Sequence, residues 1–323
     1  MNATKGLVFS YILNDGIGRP IDWDEADKWH PEQGLLWLHL DYAEEDARYW
    51  LQEKSGIDPV SCEALLAEET RPRIVATPES LLLILRGVNC NPGADPEDMV
   101  SIRLWIERDR IISMRHRRVM AVDDIRKSVD AGKGPKSSND FLTAVSTRLI
   151  DRMANVIGNI DDAVDDIEDQ ALADEGGELR PTLANLRRQT ISLRRYIAPQ
   201  REVLSQLQKA PTAWLDGDDR IRIRENAERT GRFIDDLDSA RDRAAVTQEE
   251  LNGHLAEQMT KTMYILSIVA GIFLPLGLVT GLLGVNVGGI PGANNKFGFL
   301  IVVVVLAVFA LLQYLLYKKK KWI

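Results

Sequence analysis

MYILSIVAGIFLPLGLVTGLL occupies residues 263–283 and FGFLIVVVVLAVFALLQYLLY occupies 297–317. Neither run contains an Asp, Glu, Lys or Arg. At 1.5 Å per residue, a helix of about 21 residues is about 31 Å long, the thickness of a bilayer's hydrocarbon core. An isolated span in lipid must be helical, because no water is present to pair its backbone. Buried helices of that length in a soluble core normally keep a polar edge. Two transmembrane helices are therefore expected.

Basic residues set the orientation. Lys318-Lys319-Lys320-Lys321 follows the second span and Lys261 precedes the first, whereas the connecting loop, 284–296, carries only Lys296. The excess of Lys on the terminal sides predicts cytoplasmic termini and an external loop. Tyr264, Tyr314, Tyr317 and Trp322 fall at the expected interfaces. The opening MNATKGLVFSYILNDG has no signal-peptide pattern, since Asn14-Asp15-Gly16 interrupts its apolar run. About 260 residues are thus expected in the cytoplasm, where Cys62 and Cys90 imply no disulfide.

In residues 1–135, five segments read as strands: 5–13, 34–40, 80–88, 101–107 and 110–116. Arg108-Asp109 makes a hairpin of the last two. Helices are expected over 44–54, 59–69 and 122–131, and a mixed sheet with helices packed on it follows. Beyond Gly132-Lys133-Gly134-Pro135 the pattern is helical: 141–172, 179–208, and a third helix from about Asp218 that meets no proline until Pro275. A continuous helix from Asp219 to Leu274 would be about 84 Å long. Ile234, Leu237, Ala244, Leu251, Leu255 and Met259 give it a coiled-coil-like seam that runs into the first span. The expected organisation is a cytoplasmic αβα domain (1–135), a helical stalk (136–262), a pore-lining first span (263–283), an external loop (284–296), a second span (297–317) and a basic cytoplasmic tail (318–323).

Two helices cannot shield a polar pathway from lipid, so a pore would need several copies about an axis. Gly271, Gly277, Gly281 and Gly284 permit close packing of the first span, and the bulkier second span suits an outer position. Pro275 withholds a donor from the carbonyl of Gly271; it either kinks the helix or is simply tolerated there. Between the spans stands GVNVGGIPG, 284–292. Its Asn286 can present a carbonyl to a hydrated cation, although Asn and Gly also furnish ordinary turns.

The run DDAVDDIEDQ, 161–170, either collects divalent cations or forms a solvated face paired with Arg187-Arg188 and Arg194-Arg195; the pairing is favoured. His30, His39, His116 and His254 are scattered, with His39 read as structural and His254 as able to titrate near neutral pH. No CxxC, HxxxH or HExxH spacing marks a zinc site, and no GxxxxGK[ST] or GxSxG marks a nucleotide or a nucleophile. No catalytic residue, no cofactor and no nucleic-acid partner are expected.

MTKTMYILSIVAGIFLPLGLVTGLLGVNVGGIPG, 259–292, resembles the pore region of the CorA superfamily of metal-ion transporters. The resemblance runs the length of the chain and is most specific at Gly284-Val285-Asn286. Val285 stands where the magnesium branch has Met, and the acidic loop of that branch is missing. With WLHLD at 37–41, the strip instead resembles the ZntB branch, associated with zinc. The resemblance implies a homopentamer in the inner membrane that moves divalent cations, with a metal-receiving mouth at Gly284, Val285 and Asn286. It also implies axis-facing positions at Met263, Leu266, Ala270, Leu274, Gly277 and Gly281, with Leu274, Leu266 and Met263 as dewetting gates. Zinc uptake, coupled to protons in that branch, is the expectation. The rivals are magnesium, cobalt or nickel flow down the membrane potential and a non-conducting metal sensor.

Overall fold

The computed structural model describes residues 6–68, 70–172, 179–284 and 295–320. The chain divides into two compact units, Met1–Gln248 and Glu249–Ile323.

The first unit is built on a seven-stranded sheet. Its strands are β1 (Leu7–Asn14), β2 (Ile17–Pro20), β3 (Leu35–Asp41), β4 (Arg73–Ala76), β5 (Ser80–Gly87), β6 (Val100–Glu107) and β7 (Arg110–Arg115). They lie in the order β2-β1-β3-β7-β6-β5-β4. Only β3 and β7 run parallel; the other neighbours are antiparallel. Five of these strands were expected. The two edge strands β2 and β4 were not, nor were the short helix α1 (Trp23–Asp27) and the 3-10 turn Pro31–Gln33. Four-residue edge strands are half exposed and carry little apolar signal. The turn into β2 did have one: Asp15 (φ 48°) and Gly16 (φ 84°) are both left-handed, as the two-residue loop of a tight hairpin requires.

Both faces of the central strands are buried, which is why β5 reads as an unbroken SLLLILRG. Leu81, Leu83 and Leu85 turn to one side with Trp37, Ile102, Leu104 and Ile111. That side packs on α4 (Met120–Asp130), α5 (Ser138–Leu172), α6 (Leu179–Gln208) and the early part of α7 (Gly217–Leu283). Leu82 and Ile84 turn to the other, with Leu36, Leu38 and Leu40 against α2 (Glu45–Glu53) and α3 (Pro59–Leu66). The result is the expected αβα arrangement. α7 begins in the first unit, continues through Pro275 and ends in the second unit. Of its coiled-coil-like positions, Leu237 and Ala244 are buried while Leu255 and Met259 are exposed.

Two basic side chains lie buried in the sheet. Arg103 donates to Leu65 O at 2.5 Å and to the Tyr42 hydroxyl at 2.8 Å, and its guanidinium sits 3.8 Å above the Tyr42 ring. Burial, then the nearby Arg86, lowers its pKa. His39 is wholly buried and stacks on Phe9 at 4.7 Å. Ser113 Oγ accepts from Trp37 Nε1 at 2.9 Å and donates to Leu38 O at 3.1 Å, so His39 Nδ1, 2.8 Å away, completes the network as a donor. His39 Nε2 then has no partner among the described residues.

Desolvation, with Arg115 next, pushes the His39 imidazole down to about 3 from 6.5. Between those values the unfolded chain binds a proton that the folded chain refuses. Stability therefore falls as the pH drops from 6.5, by up to about 1.4 kcal/mol per unit from this group. His39→Gln should flatten that part of a plot of thermal midpoint against pH; an unchanged slope would assign the acid lability to other groups.

Candidate functional site

The second unit contains the end of α7 and α8 (Gly298–Lys319), whose apolar windows have mean hydropathies of 2.3 and 2.9. Their apolar side chains have no aqueous role, and most are exposed in one chain. Ser267 and Thr280, the aliphatic hydroxyls of the first span, fold back on their own helix: Ser267 Oγ donates to Met263 O and Thr280 Oγ1 to Leu276 O.

Beyond its first residue, the half-buried residues of α8 are Val302, Leu306, Ala310, Gln313 and Tyr317. Steps of four, four, three and four place them on one narrow stripe. On α7, Ile268, Gly271, Ile272, Pro275, Leu276 and Val279 form a half-buried stripe, with Ala270 half-buried apart from it. At 100° per residue, this stripe is centred opposite the face that holds Met263, Leu266, Ala270, Leu274, Gly277 and Gly281. Five of those six are exposed, Met263 at 65%, Leu266 at 67% and Leu274 at 72%; Ala270 is half-buried. The second span thus leaves the expected lining face of the first uncovered. Gly284 closes α7, its N–H donating to Thr280 O at 2.9 Å. Val285 and Asn286 lie outside the described residues, as do Lys321 and Trp322.

Two polar groups in the second span were not singled out from sequence as functional. Tyr317, read as an interfacial anchor, donates its hydroxyl to the carbonyl of Gly271 at 3.3 Å. Gln313, one turn away on the same stripe, has a buried Oε1 with no partner among the described residues. Their four-residue spacing on an apolar helix was the available signal.

The acidic run is gripped by a partner other than the expected one. Asp161, Asp165 and Glu168 follow one another at helical spacing along α5, and Arg243 of α7 contacts all three: Asp161 at 3.0 Å, Glu168 at 2.6 Å, and Asp165. The hydrogen bonds that Arg243 donates to Glu168, then to Asp165, raise its pKa. The arginines of α6 are engaged elsewhere: Arg187 with Gln248, Arg188 with Asn185, Arg194 with Asp238 and Arg195 over Tyr196. The pairing with Arg187-Arg188 and Arg194-Arg195 is therefore corrected; the stripe at i, i+4 and i+7 faces α7 rather than α6. Asp162, Asp166 and Asp169 are exposed, and no group of three or more His, Cys, Asp or Glu among the described residues is placed to hold a metal ion. His254 is exposed on α7.

A mixed sheet flanked by helices, together with two apolar helices of membrane length, gives the architecture of a membrane protein with two spans. The profile of the CorA-like Mg2+ transporter proteins matches residues 32–319. The chain belongs to this family of divalent-cation transporters, as the pore-region resemblance implied. It is 40% identical to the divalent cation transporter CmaX of Pseudomonas aeruginosa over 99% of this chain and 97% of the relative. It is 38% identical to the zinc transport protein ZntB of Yersinia enterocolitica over 98% of this chain and 96% of the relative. Its fold matches the solved structure of full-length CmaX with a TM-score of 0.87, at 39% identity and 99% coverage of both chains.

Removing Arg243 would leave three carboxylates facing one another. Arg243→Ala should destabilise the helical region by about 1 kcal/mol, because the pairs are partly exposed. Millimolar magnesium should raise the thermal midpoint of the variant more than that of the parent. Equal responses of the two proteins would show that the carboxylates do not act as one cluster.

Proposed function

We propose that the protein is a homopentamer of the inner membrane that carries divalent cations, zinc foremost, into the cytoplasm. Both termini are cytoplasmic in this reading. Residues 1–135 and 136–262 form the cytoplasmic domain and stalk, 263–283 line the pore, 284–296 form its external mouth, 297–317 insulate it from lipid, and 318–323 form the basic tail. The observation that carries the reading is the uncovered face of α7 opposite α8, where Leu266 and Leu274 are among the most exposed apolar side chains. One α8 covers one stripe, and further copies of the first span supply the cover that the other face needs.

At the mouth, Gly284, Val285 and Asn286 receive the cation with its water shell. A ring of Asn286 carbonyls binds that shell without a fixed charge, so the ion can leave again. Deeper, Leu274, Leu266 and Met263 narrow the path with apolar rings that gate by dewetting, and the small Ala270, Gly277 and Gly281 leave room between them. The zinc assignment is supported by relatives named zinc transport proteins and by valine in the middle of the triplet. Neither span contains a carboxylate or a histidine, so a coupled proton would travel with the water of the pore rather than through a side-chain relay. A second reading, flow of magnesium, cobalt or nickel down the membrane potential, is favoured by the magnesium description of the family.

Zinc uptake by purified protein in liposomes tests both. Asn286→Ala should lower uptake about tenfold, equivalent to a loss of about 1.4 kcal/mol over the whole ring. Unchanged uptake would remove Asn286 from the mouth. Equal zinc uptake with and without an imposed pH gradient would remove proton coupling, and magnesium uptake exceeding that of zinc would favour the second reading.

A further inference from the structure

Proline at position 275 has no N–H, so the carbonyl of Gly271, four residues back, loses the donor that every other turn of a helix supplies. α7 nonetheless continues through this point as one helix to Leu283. In hydrocarbon a stranded carbonyl is costly, because no water can replace the lost donor. The hydroxyls nearest in sequence do not serve it, since Ser267 is spent on Met263 O and Thr280 on Leu276 O. The donor comes from the other span: Tyr317 Oη lies 3.3 Å from Gly271 O.

The fit between the two positions is close. A Cβ built on Gly271 would stand 2.9 Å from Tyr317 Oη, tighter than real side chains tolerate. Glycine at 271 therefore does more than permit helix packing; it leaves open the approach by which the hydroxyl reaches the backbone. Tyr317 is on the stripe of α8 that faces α7, at the end of a step of four from Gln313. A role confined to the lipid headgroups would not require a hydroxyl directed at this carbonyl.

We infer that Tyr317 is a positioning residue for transport: its hydroxyl takes the carbonyl that Pro275 strands at Gly271 and so fixes the course of the lining span at its proline. The outer helix then does more than insulate. It sets the register of α7 at the level between Ala270 and Leu274, where the narrow part of the proposed path lies. The effect on flux rests on the pore reading given above; the hydrogen bond and its dependence on Pro275 do not.

A double-mutant cycle tests the inference in the full-length protein, with two readouts. Tyr317→Phe keeps the ring and removes the donor, so it should lower the thermal midpoint and change cation uptake by about threefold, the equivalent of an average interhelical hydrogen bond in a membrane protein. Pro275→Ala restores an N–H to Gly271 O, and in that background Tyr317→Phe should leave both readouts unchanged. Gly271→Ala should reproduce the effect of Tyr317→Phe in the parent and add nothing to it in the Tyr317→Phe chain, which supplies a second route should the Pro275 variant fold poorly. Equal effects of Tyr317→Phe with and without Pro275, or none in the parent, would overturn the inference. If no variant and no parent protein transports cations, the pore reading fails, while the thermal midpoints still decide whether Tyr317 and Pro275 are coupled.

Discussion

Every backbone N–H and C=O inside a bilayer must find its partner in protein, and this constraint shapes the second unit of the molecule. It makes both apolar runs helices. It forces the hydroxyls of Ser267 and Thr280 back onto their own turns. It also turns Pro275 from a local irregularity into a demand on the neighbouring helix, answered by Tyr317. In the proposed pore the same scarcity of water makes one chain insufficient, because a path for hydrated ions cannot be bounded by lipid on any side.

The first unit solves a different problem with the same principles. Its central strands are covered on both faces, so polar groups within them must be matched individually. Ser113 links Trp37, His39 and the backbone of Leu38 into one network. Arg103 is held by backbone oxygens and the face of Tyr42 rather than by a carboxylate. Such a guanidinium is costly to desolvate, and its neutral partners fix its orientation without adding a second buried charge.

Much of this was legible in the sequence because periodicity is a strong signal when burial is complete. The strands at 80–88 and 101–107 stood out through unbroken apolar runs, and both spans through the absence of charge over about 21 residues. β2 and β4 were missed because half-exposed edge strands resemble loops, although Asp15-Gly16 marked the hairpin. The proposed lining positions rest on a family pattern and a three-and-four step; the structure adds which side of α7 its own second span leaves free. Two links were illegible for a physical reason: Arg243 with the acidic run, and Tyr317 with Gly271, join residues 46 to 82 positions apart. No local pattern records such a distance; it is set by how the helices face one another.

Arg243 carries one last implication. A guanidinium on the same chain is present at an effective concentration of about millimolar or more, since it cannot diffuse away. Asp161, Asp165 and Glu168 therefore meet a counter-ion whose supply is independent of the cell's mineral content. At this point along α5 the carboxylates are neutralised by the chain itself, through Arg243 of α7.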